Sequence, residues 1–162
     1  MHSRDWIRLI ACIALCQVVG NLGAIFTFPA LVSWYPSLAK PWFTPPSWAF
    51  GPAWITLYTL MGISLYLFWK KGQGTRRKAR EFRKGTVLFE VQLLLNLLWS
   101  LLFFGLRSPL YGLIGIAVLW VMIAATIIEF NRISRSAALL LVPYILWVTF
   151  AMTLNLSIWV LN

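Results

Sequence analysis

Aromatic and amide side chains recur at helical spacing in three apolar stretches of the sequence. One stripe, with intervals of four, three and four residues, consists of Gln92, Asn96, Trp99 and Phe103. Side chains three or four residues apart lie on one face of a helix, so these groups face the same way. Flat indole and phenyl faces stack on other flat groups, and amides supply a few directional hydrogen bonds. The pattern therefore suits binding of a flat, apolar, conjugated molecule.

Residues for acid–base, nucleophilic or metal chemistry are scarce. His2 is the only histidine and Asp5 the only aspartate, and no nucleophile elbow, phosphate loop or metal-ligand cluster is present. General acid–base catalysis needs such groups near the reacting atoms. The sequence thus favours a binding protein over an enzyme. Any reaction would be radical or photochemical, at tryptophan.

The composition identifies the environment of these stripes. The 162 residues are 60% hydrophobic and 11% charged, against about 45–50% and about 25% in soluble domains. This excludes an ordinary soluble domain, a disordered chain and a nucleic-acid-binding arm. Five continuous apolar segments are long enough to cross a bilayer as helices. They are residues 9–28, 49–69, 86–106, 109–130 and 136–161. We expect a single domain, an all-α membrane bundle of five helices.

The net charge of +10 mostly reflects topology. All but two of the 14 Lys and Arg residues fall on one side of the predicted membrane, Lys40 and Arg107 being the exceptions. The positive-inside rule then places the N-terminus in the cytoplasm. Specific recognition of anionic lipid by the basic second loop is the alternative. No cleavable signal peptide is evident, which suits a prokaryotic cytoplasmic membrane.

The segment between the first two spans is predicted to be ordered. Residues 29–48 contain five of the eight prolines and three tryptophans, whereas a flexible linker would be rich in Gly and Ser. Proline fixes φ and lowers the entropy lost on ordering. We expect a structured lid on the outer mouth of the bundle. An aromatic belt at the headgroup level is the compatible alternative.

The aromatic stripes of different spans are predicted to lie at similar depths in the membrane. At about 1.5 Å per residue, most of these groups lie in the middle or outer half of the spans, beneath the lid. They include Trp54 and Tyr58 of span two and Trp147, Phe150 and Ala151 of span five. We predict an indole-lined pocket with Asn and Gln amides. Alternatively, Asn21, Gln92, Asn96 and Asn155 are interhelical hydrogen-bonding groups and the tryptophans are core.

Three motifs in order give a resemblance that covers nearly the whole chain. The first reads Trp34-Tyr35-x-x-Leu38-x-Lys40-Pro41-x-x-x-Pro45-Pro46-x-x-x-x-Gly51-Pro52-x-Trp54-x-x-Leu57-Tyr58-x-x-Met61-Gly62. The second reads Gln92-Leu93-x-Leu95-Asn96-x-x-Trp99-x-x-x-Phe103-Phe104-Gly105. The third reads Pro143-Tyr144-x-x-Trp147-x-x-Phe150-x-x-x-Leu154-Asn155-x-x-x-Trp159. Together they resemble the translocator protein / tryptophan-rich sensory protein family.

The resemblance implies a membrane binding or sensory protein for tetrapyrroles such as protoporphyrin and haem-like rings, with transport as a further role. It also implies sterols and aromatic drugs as ligands, and no prosthetic group or metal. Family ligand contacts match Ala24, Trp34, Trp54, Trp99 and Trp147, and we add Tyr58, Asn96, Tyr111, Phe150 and Ala151. Light-dependent porphyrin degradation, if present, would use Trp54 and Trp147. By analogy with family members, a mitochondrial or bacterial outer membrane is the alternative location.

The sequence departs from the family at two places. The family's sterol motif has a Tyr and an Arg roughly where Leu156 and Val160 stand, so we do not expect sterol recognition by that motif. The family's aromatic residue at the start of span four is Tyr111 here, which could change the preferred ligand shape.

The sequence leaves open the role of Glu90 and the oligomeric state. Glu90 lies about one turn inside span three, where an unpaired carboxylate is costly, so we expect a pair with Arg83 or Lys84. A proton-coupled transporter using Glu90 is the alternative. Gly112 and Gly115 would let helices approach closely without saying whose helix it is, and a homodimer stays open as a partner arrangement beside the lipid bilayer.

Overall fold

Long apolar segments satisfy their backbone hydrogen bonds internally, and this chain does so with helices. The computed structural model describes residues 3–73 and 79–162. The helices are α1 (Ser3–Ser33), α2 (Phe50–Gly72), α3 (Ala79–Ser100), α4 (Pro109–Ile133), α5 (Arg135–Leu140) and α6 (Val142–Leu161). Five stretches are long and apolar enough to cross a membrane, α5 and α6 together forming the fifth. This confirms the predicted all-α bundle with five spans.

The end of α1 differs from the sequence prediction. α1 continues through Pro29 to Ser33, five residues beyond the predicted end of span one. The side chain of Ser33 donates a hydrogen bond to the Pro29 carbonyl at 2.7 Å, and Trp34 N–H reaches the Ala30 carbonyl at 3.0 Å. The carbonyl groups of Pro29 and Ala30 therefore accept hydrogen bonds from the last turn of the helix. The predicted loop 29–48 begins accordingly at residue 34.

The last span is interrupted near its start. α5 ends at Leu140 and α6 begins at Val142, with Pro143 in its first turn. Proline has no N–H and its ring crowds the preceding turn, so helices often begin at or next to a proline, as α6 does here. Leu141 donates its N–H to the Ala138 carbonyl at 3.1 Å, closing a tighter turn.

The connection between α1 and α2, residues 34–49, is called the first loop, and the end of the bundle that carries it the loop end. Two single 3₁₀ turns, Tyr35–Ser37 and Ser47–Ala49, give it regular structure. Lys40 Nζ donates hydrogen bonds to the carbonyls of Tyr35, Pro36 and Leu38 at 2.9–3.1 Å. The loop is thus ordered by its own lysine as well as by its prolines.

Contacts with the bundle hold the first loop in place. Tyr35 is buried against Phe50 and Phe104, and burial raises the pKa of its hydroxyl to about 12. The side-chain amide of Asn162 accepts from Ala39 N–H and donates to the Ala39 carbonyl, each at 3.0 Å. Trp42, however, is 95% exposed, and its ring packs edge-on against the neighbouring Phe43, with centroids 5.8 Å apart. The predicted lid is therefore structured, but its central indole points away from the bundle.

Aromatic packing fills the end of the bundle opposite the loop. Phe68 stacks on Phe130 with ring centroids 3.8 Å apart, and Phe82 and Phe89 extend the stack on either side. Gly85 makes room for it, because a Cβ there would lie 2.5 Å from Phe68. Stacked aromatic rings therefore fill the space between α2, α3 and α4 at this end.

The acidic residues near this end are arranged differently from the prediction. Lys84 pairs with Glu129 on α4, with Nζ 2.6 Å from Oε1, and not with Glu90. Arg132 lies 3.7 Å from the second oxygen of Glu129. Glu129 is buried, whereas Glu90 is exposed and has no ion pair among the described residues. The prediction that Glu90 pairs with Arg83 or Lys84 was wrong, because the Lys84 side chain reaches across to α4. The basic residues Arg76 to Lys78 lie outside the described residues.

Candidate ligand cavity

A cavity of about 210 Å³ lies in the loop half of the bundle, between α1, α2, α3 and α6. Its walls come from α1 and the start of α2, from the middle of α3, and from Trp147 and Ala151 on α6. Its exposed lining residues are Asn21 and Phe28 on α1, Ser47 and Trp48 at the end of the first loop, and Ile55 on α2. The mouth of the cavity therefore faces sideways between these two helices. No charged side chain lines it in the part of the chain that the structure describes.

Seven of the ten predicted site residues line this cavity. They are Ala24, Trp54, Tyr58, Asn96, Trp99, Trp147 and Ala151. They come from four different helices, so the stripes recognised in the sequence do converge in space. Trp34, Tyr111 and Phe150 do not line it.

The three remaining residues lie nearby or on the surface. Trp34 packs edge-on against Phe103, with ring centroids 5.6 Å apart, and supports the wall from behind. Phe150 contacts Trp147 at 5.7 Å on the other side of the indole. Tyr111 is 54% exposed on α4, away from the cavity, because α4 packs on the outer side of α3 and α6.

Trp54 is the centre of the aromatic wall. Its ring centroid lies 5.6 Å from Tyr58, 6.1 Å from Trp99 and 6.4 Å from Tyr144. These separations are within the range of favourable aromatic pairs. The contacts join α2, α3 and α6 into one surface, and each ring is held by others rather than by lipid.

A chain of hydrogen bonds runs from the cavity into the bundle. Tyr58 Oη donates to Asn96 Oδ1 at 2.6 Å, and Asn96 Nδ2 donates to Tyr144 Oη at 2.7 Å. Tyr144 Oη donates in turn to Gln92 Oε1 at 3.0 Å. All four residues are buried. Because amides and hydroxyls in hydrocarbon need partners, this chain ties α2, α3 and α6 together.

The amides thus divide between the two predicted roles. Asn96 both lines the cavity and links helices, whereas Gln92 only links helices. Asn21 donates to the Gln17 carbonyl of its own helix at 2.8 Å. Asn155 is 2% exposed, and its side-chain amide has no hydrogen-bond partner within residues 3–73 and 79–162.

Close helix approach shapes the floor and one wall. A Cβ on Gly20 would lie 2.3 Å from the Tyr58 ring, so only glycine admits this ring beside α1. Gly23 faces Ser100, whose Oγ would be 3.1 Å from an added Cβ. Glycine at these positions lets α1 come close enough to close the cavity.

The sequence prediction missed several lining residues. Gln17, Thr27, Ser47, Ser100 and Phe104 all reach the cavity. Ser100 could have been found, because it lies four residues after Asn96 on the same helix face. Gln17 bridges to α2 through Thr59 Oγ1 at 3.0 Å and the Ile55 carbonyl at 2.9 Å, which no spacing within one helix reveals.

A turn of π-helix lies beside the cavity. Residues Leu101–Gly105 continue α3 with a wider turn, and Leu106 N–H reaches the Leu101 carbonyl at 2.7 Å. Such turns often occur at functional sites. Here the turn places both Phe103 and Phe104 towards the interior, next to Trp99, with centroids 5.9 Å away in each case.

Comparisons with known proteins agree with this architecture. The family model described as TspO/MBR family matches residues 12–160. The chain is 48% identical over 161 residues to "Tryptophan-rich protein TspO" of Chlorobaculum tepidum, covering 99% of each chain. It is 37% identical to the "Translocator protein" of Bos taurus, over 95% of this chain and 89% of that one. It is 32% identical to the "Tryptophan-rich sensory protein" of Cereibacter sphaeroides, over 99% and 94%.

The match extends through all five spans and the cavity between them. The relatives' names refer to translocation and to sensing, and the five apolar helices place this chain in a membrane. The chain therefore belongs to the TspO/MBR family and is an integral membrane protein of this sensory and transport class.

Proposed function

We propose that this protein binds tetrapyrroles such as protoporphyrin, together with other flat hydrophobic molecules, in the cavity between α1, α2, α3 and α6. The observation that supports this most is the indole wall. Trp54, Trp99 and Trp147 come from three helices and line one space. A flat conjugated ring stacks favourably on such faces. Sensing or moving the ligand within the membrane would follow from this binding step.

The distribution of charge supports a defined orientation of the ligand. The cavity has no Lys, Arg, Asp or Glu in its described lining, so a carboxylate inside it would be costly. A tetrapyrrole with acidic side chains would therefore keep those groups at the loop end of the mouth, beside Ser47 and Trp48, nearest to headgroups and water. Its apolar edge would lie towards Trp99 and Ala151.

Titration with protoporphyrin tests the proposal. The protein in lipid nanodiscs is titrated with protoporphyrin, and tryptophan emission and porphyrin absorbance are followed together. We expect saturable binding in the micromolar range or tighter. Ala24→Phe should weaken it at least tenfold, because the ring would occupy the cavity. Ala14→Phe, on the exposed face of the same helix, serves as the matched control. Absence of saturable binding to wild type would refute the proposal.

Light-dependent degradation of bound porphyrin is a second candidate. The contacts of Trp54 with Tyr58, Trp99 and Tyr144 favour it, because neighbouring aromatic rings can share an electron deficiency. Illumination in the presence of oxygen should then remove porphyrin faster with wild type than with Trp54→Phe or Trp147→Phe. Binding without light-dependent loss of porphyrin would leave only the binding function. No observation favours the proton-coupled transporter.

A further inference from the structure

The outer surface of the bundle carries a second, apolar groove that is separate from the cavity. It runs between α2 and α6 and encloses about 600 Å³. Its lining residues are Pro52, Ala53, Thr56, Leu57, Pro143, Leu146, Trp147 and Phe150. The only hydroxyl among them belongs to Thr56, which donates to the Pro52 carbonyl at 2.9 Å. In the described lining, hydrogen-bonding side-chain groups are thus limited to this engaged hydroxyl and the indole N–H of Trp147, so the groove is almost wholly apolar.

Position in the membrane decides what can fill this groove. The α2 side lies about 8–15 Å from the start of its span at about 1.5 Å per residue, which is hydrocarbon depth. Its rim residues Pro52, Thr56, Pro143 and Leu146 are exposed on the bundle surface. A groove at this depth and open to the outside meets acyl chains, and its apolar lining matches their chemistry.

Trp147 is the residue that the groove and the cavity have in common. It lines both, so one indole separates the lipid-facing groove from the interior. On the cavity side Phe50 packs edge-on against it at 6.3 Å, and on the groove side Phe150 contacts it at 5.7 Å. Its Nε1 is buried and has no hydrogen-bond partner among the residues that the structure describes. No hydrogen bond with these residues therefore fixes the orientation of the Trp147 ring between the groove and the cavity.

We propose that the α2–α6 groove is a binding site for a phospholipid acyl chain, which packs against the outer face of the Trp147 indole. Trp147 is then in contact with lipid on one side and lines the ligand cavity on the other. The bilayer composition acts on the cavity through this side chain. The inference does not depend on the tetrapyrrole proposal, since it concerns only lipid and the apo protein.

Quenching by bromolipid tests the site directly. The protein is reconstituted in phosphatidylcholine with acyl chains brominated midway, and emission is compared with that in the unbrominated lipid. Trp147→Phe should lose a quenchable component of one tryptophan relative to wild type. Trp54→Phe is the matched control, because Trp54 lines the cavity but not the groove. Its removal should leave the quenchable emission unchanged.

A groove-filling variant keeps Trp147 in place. Ala53 lines the groove and not the cavity, so Ala53→Leu should protect Trp147 from bromolipid without touching the interior. Unchanged quenching in both Trp147→Phe and Ala53→Leu would overturn the proposal. Equal loss in Trp54→Phe and Trp147→Phe would also overturn it, because the chain would then reach both indoles through the cavity.

Discussion

The hydroxyl of Tyr58 and the amide of Asn96 form a 2.6 Å hydrogen bond at the boundary between the cavity and the bundle core. Asn96 also donates to Tyr144 at 2.7 Å, so a single amide serves two tyrosines on two other helices. Both tyrosines are at most 6% exposed. The same residue thus shapes a ligand surface and holds three helices together.

Replacing Asn96 should therefore cost more stability than removing one tyrosine hydroxyl. Asn96→Leu leaves the Tyr58 hydroxyl without its acceptor and the Tyr144 hydroxyl with Gln92 as its remaining partner, and an unsatisfied buried group costs about 1–3 kcal/mol. Tyr58→Phe removes a single bond, worth about 0.6 kcal/mol on average inside a membrane, and keeps the bond from Asn96 to Tyr144. Thermal unfolding in one detergent compares the two variants. A midpoint for Asn96→Leu equal to that of Tyr58→Phe would contradict the dual role.

Glycine 20 should be required for the shape of the cavity. In Gly20→Ala the new Cβ would lie 2.3 Å from the Tyr58 ring, which must then move into the space that the ligand needs. We expect at least a tenfold loss of protoporphyrin affinity, measured by fluorescence titration.

The same substitution at Gly51 is the control. Gly51 also lines the cavity, but a Cβ there meets nothing within 4 Å. Gly51→Ala should bind like wild type. If both variants bind equally well, the position of Tyr58 does not matter for the ligand.

Asn162 should govern the mobility of the first loop. Its side chain makes two 3.0 Å hydrogen bonds with the backbone of Ala39, joining the loop to the end of α6. Asn162→Ala should accelerate amide hydrogen exchange at Ala39 and its neighbours, since local opening then breaks fewer contacts. Asn131→Ala, an exposed position on α4, is the comparison. Identical exchange in the two variants would show that the pairing does not restrain the loop.

The ion pair of Lys84 and Glu129 should contribute to stability because the carboxylate is buried. Breaking a fully buried pair costs about 3–5 kcal/mol. Lys84→Met should cost less than this, since Arg132 lies 3.7 Å from the other oxygen and compensates in part. Thermal unfolding measures the loss.

Arg83→Met tests whether the effect is specific to this pair. Arg83 is the exposed neighbour of Lys84 on α3 and has the same charge. Its substitution should leave the unfolding midpoint nearly unchanged. Equal effects of the two substitutions would assign the loss to net charge rather than to the pair.

The number of helices and several of their shared faces could be predicted from the sequence alone. The five apolar segments predict five helices because hydrocarbon leaves the backbone no other partner. The spacing of Trp54 with Tyr58, and of Asn96 with Trp99, predicts shared faces because helical periodicity is a local property. The side of the membrane on which each end lies stays a prediction from the placement of Lys and Arg.

Only the tertiary structure decided which faces meet. Tyr111 has the right type and depth for the cavity, yet α4 lies outside the ring of helices around it. Lys84 bonds to Glu129 rather than to Glu90, because the partner comes from another helix 45 residues away. Gln17 and Trp147 acquire their roles from contacts with α2 in the same way. Spacing along one helix determines a face, whereas the rotation and packing of whole helices determine what that face contacts.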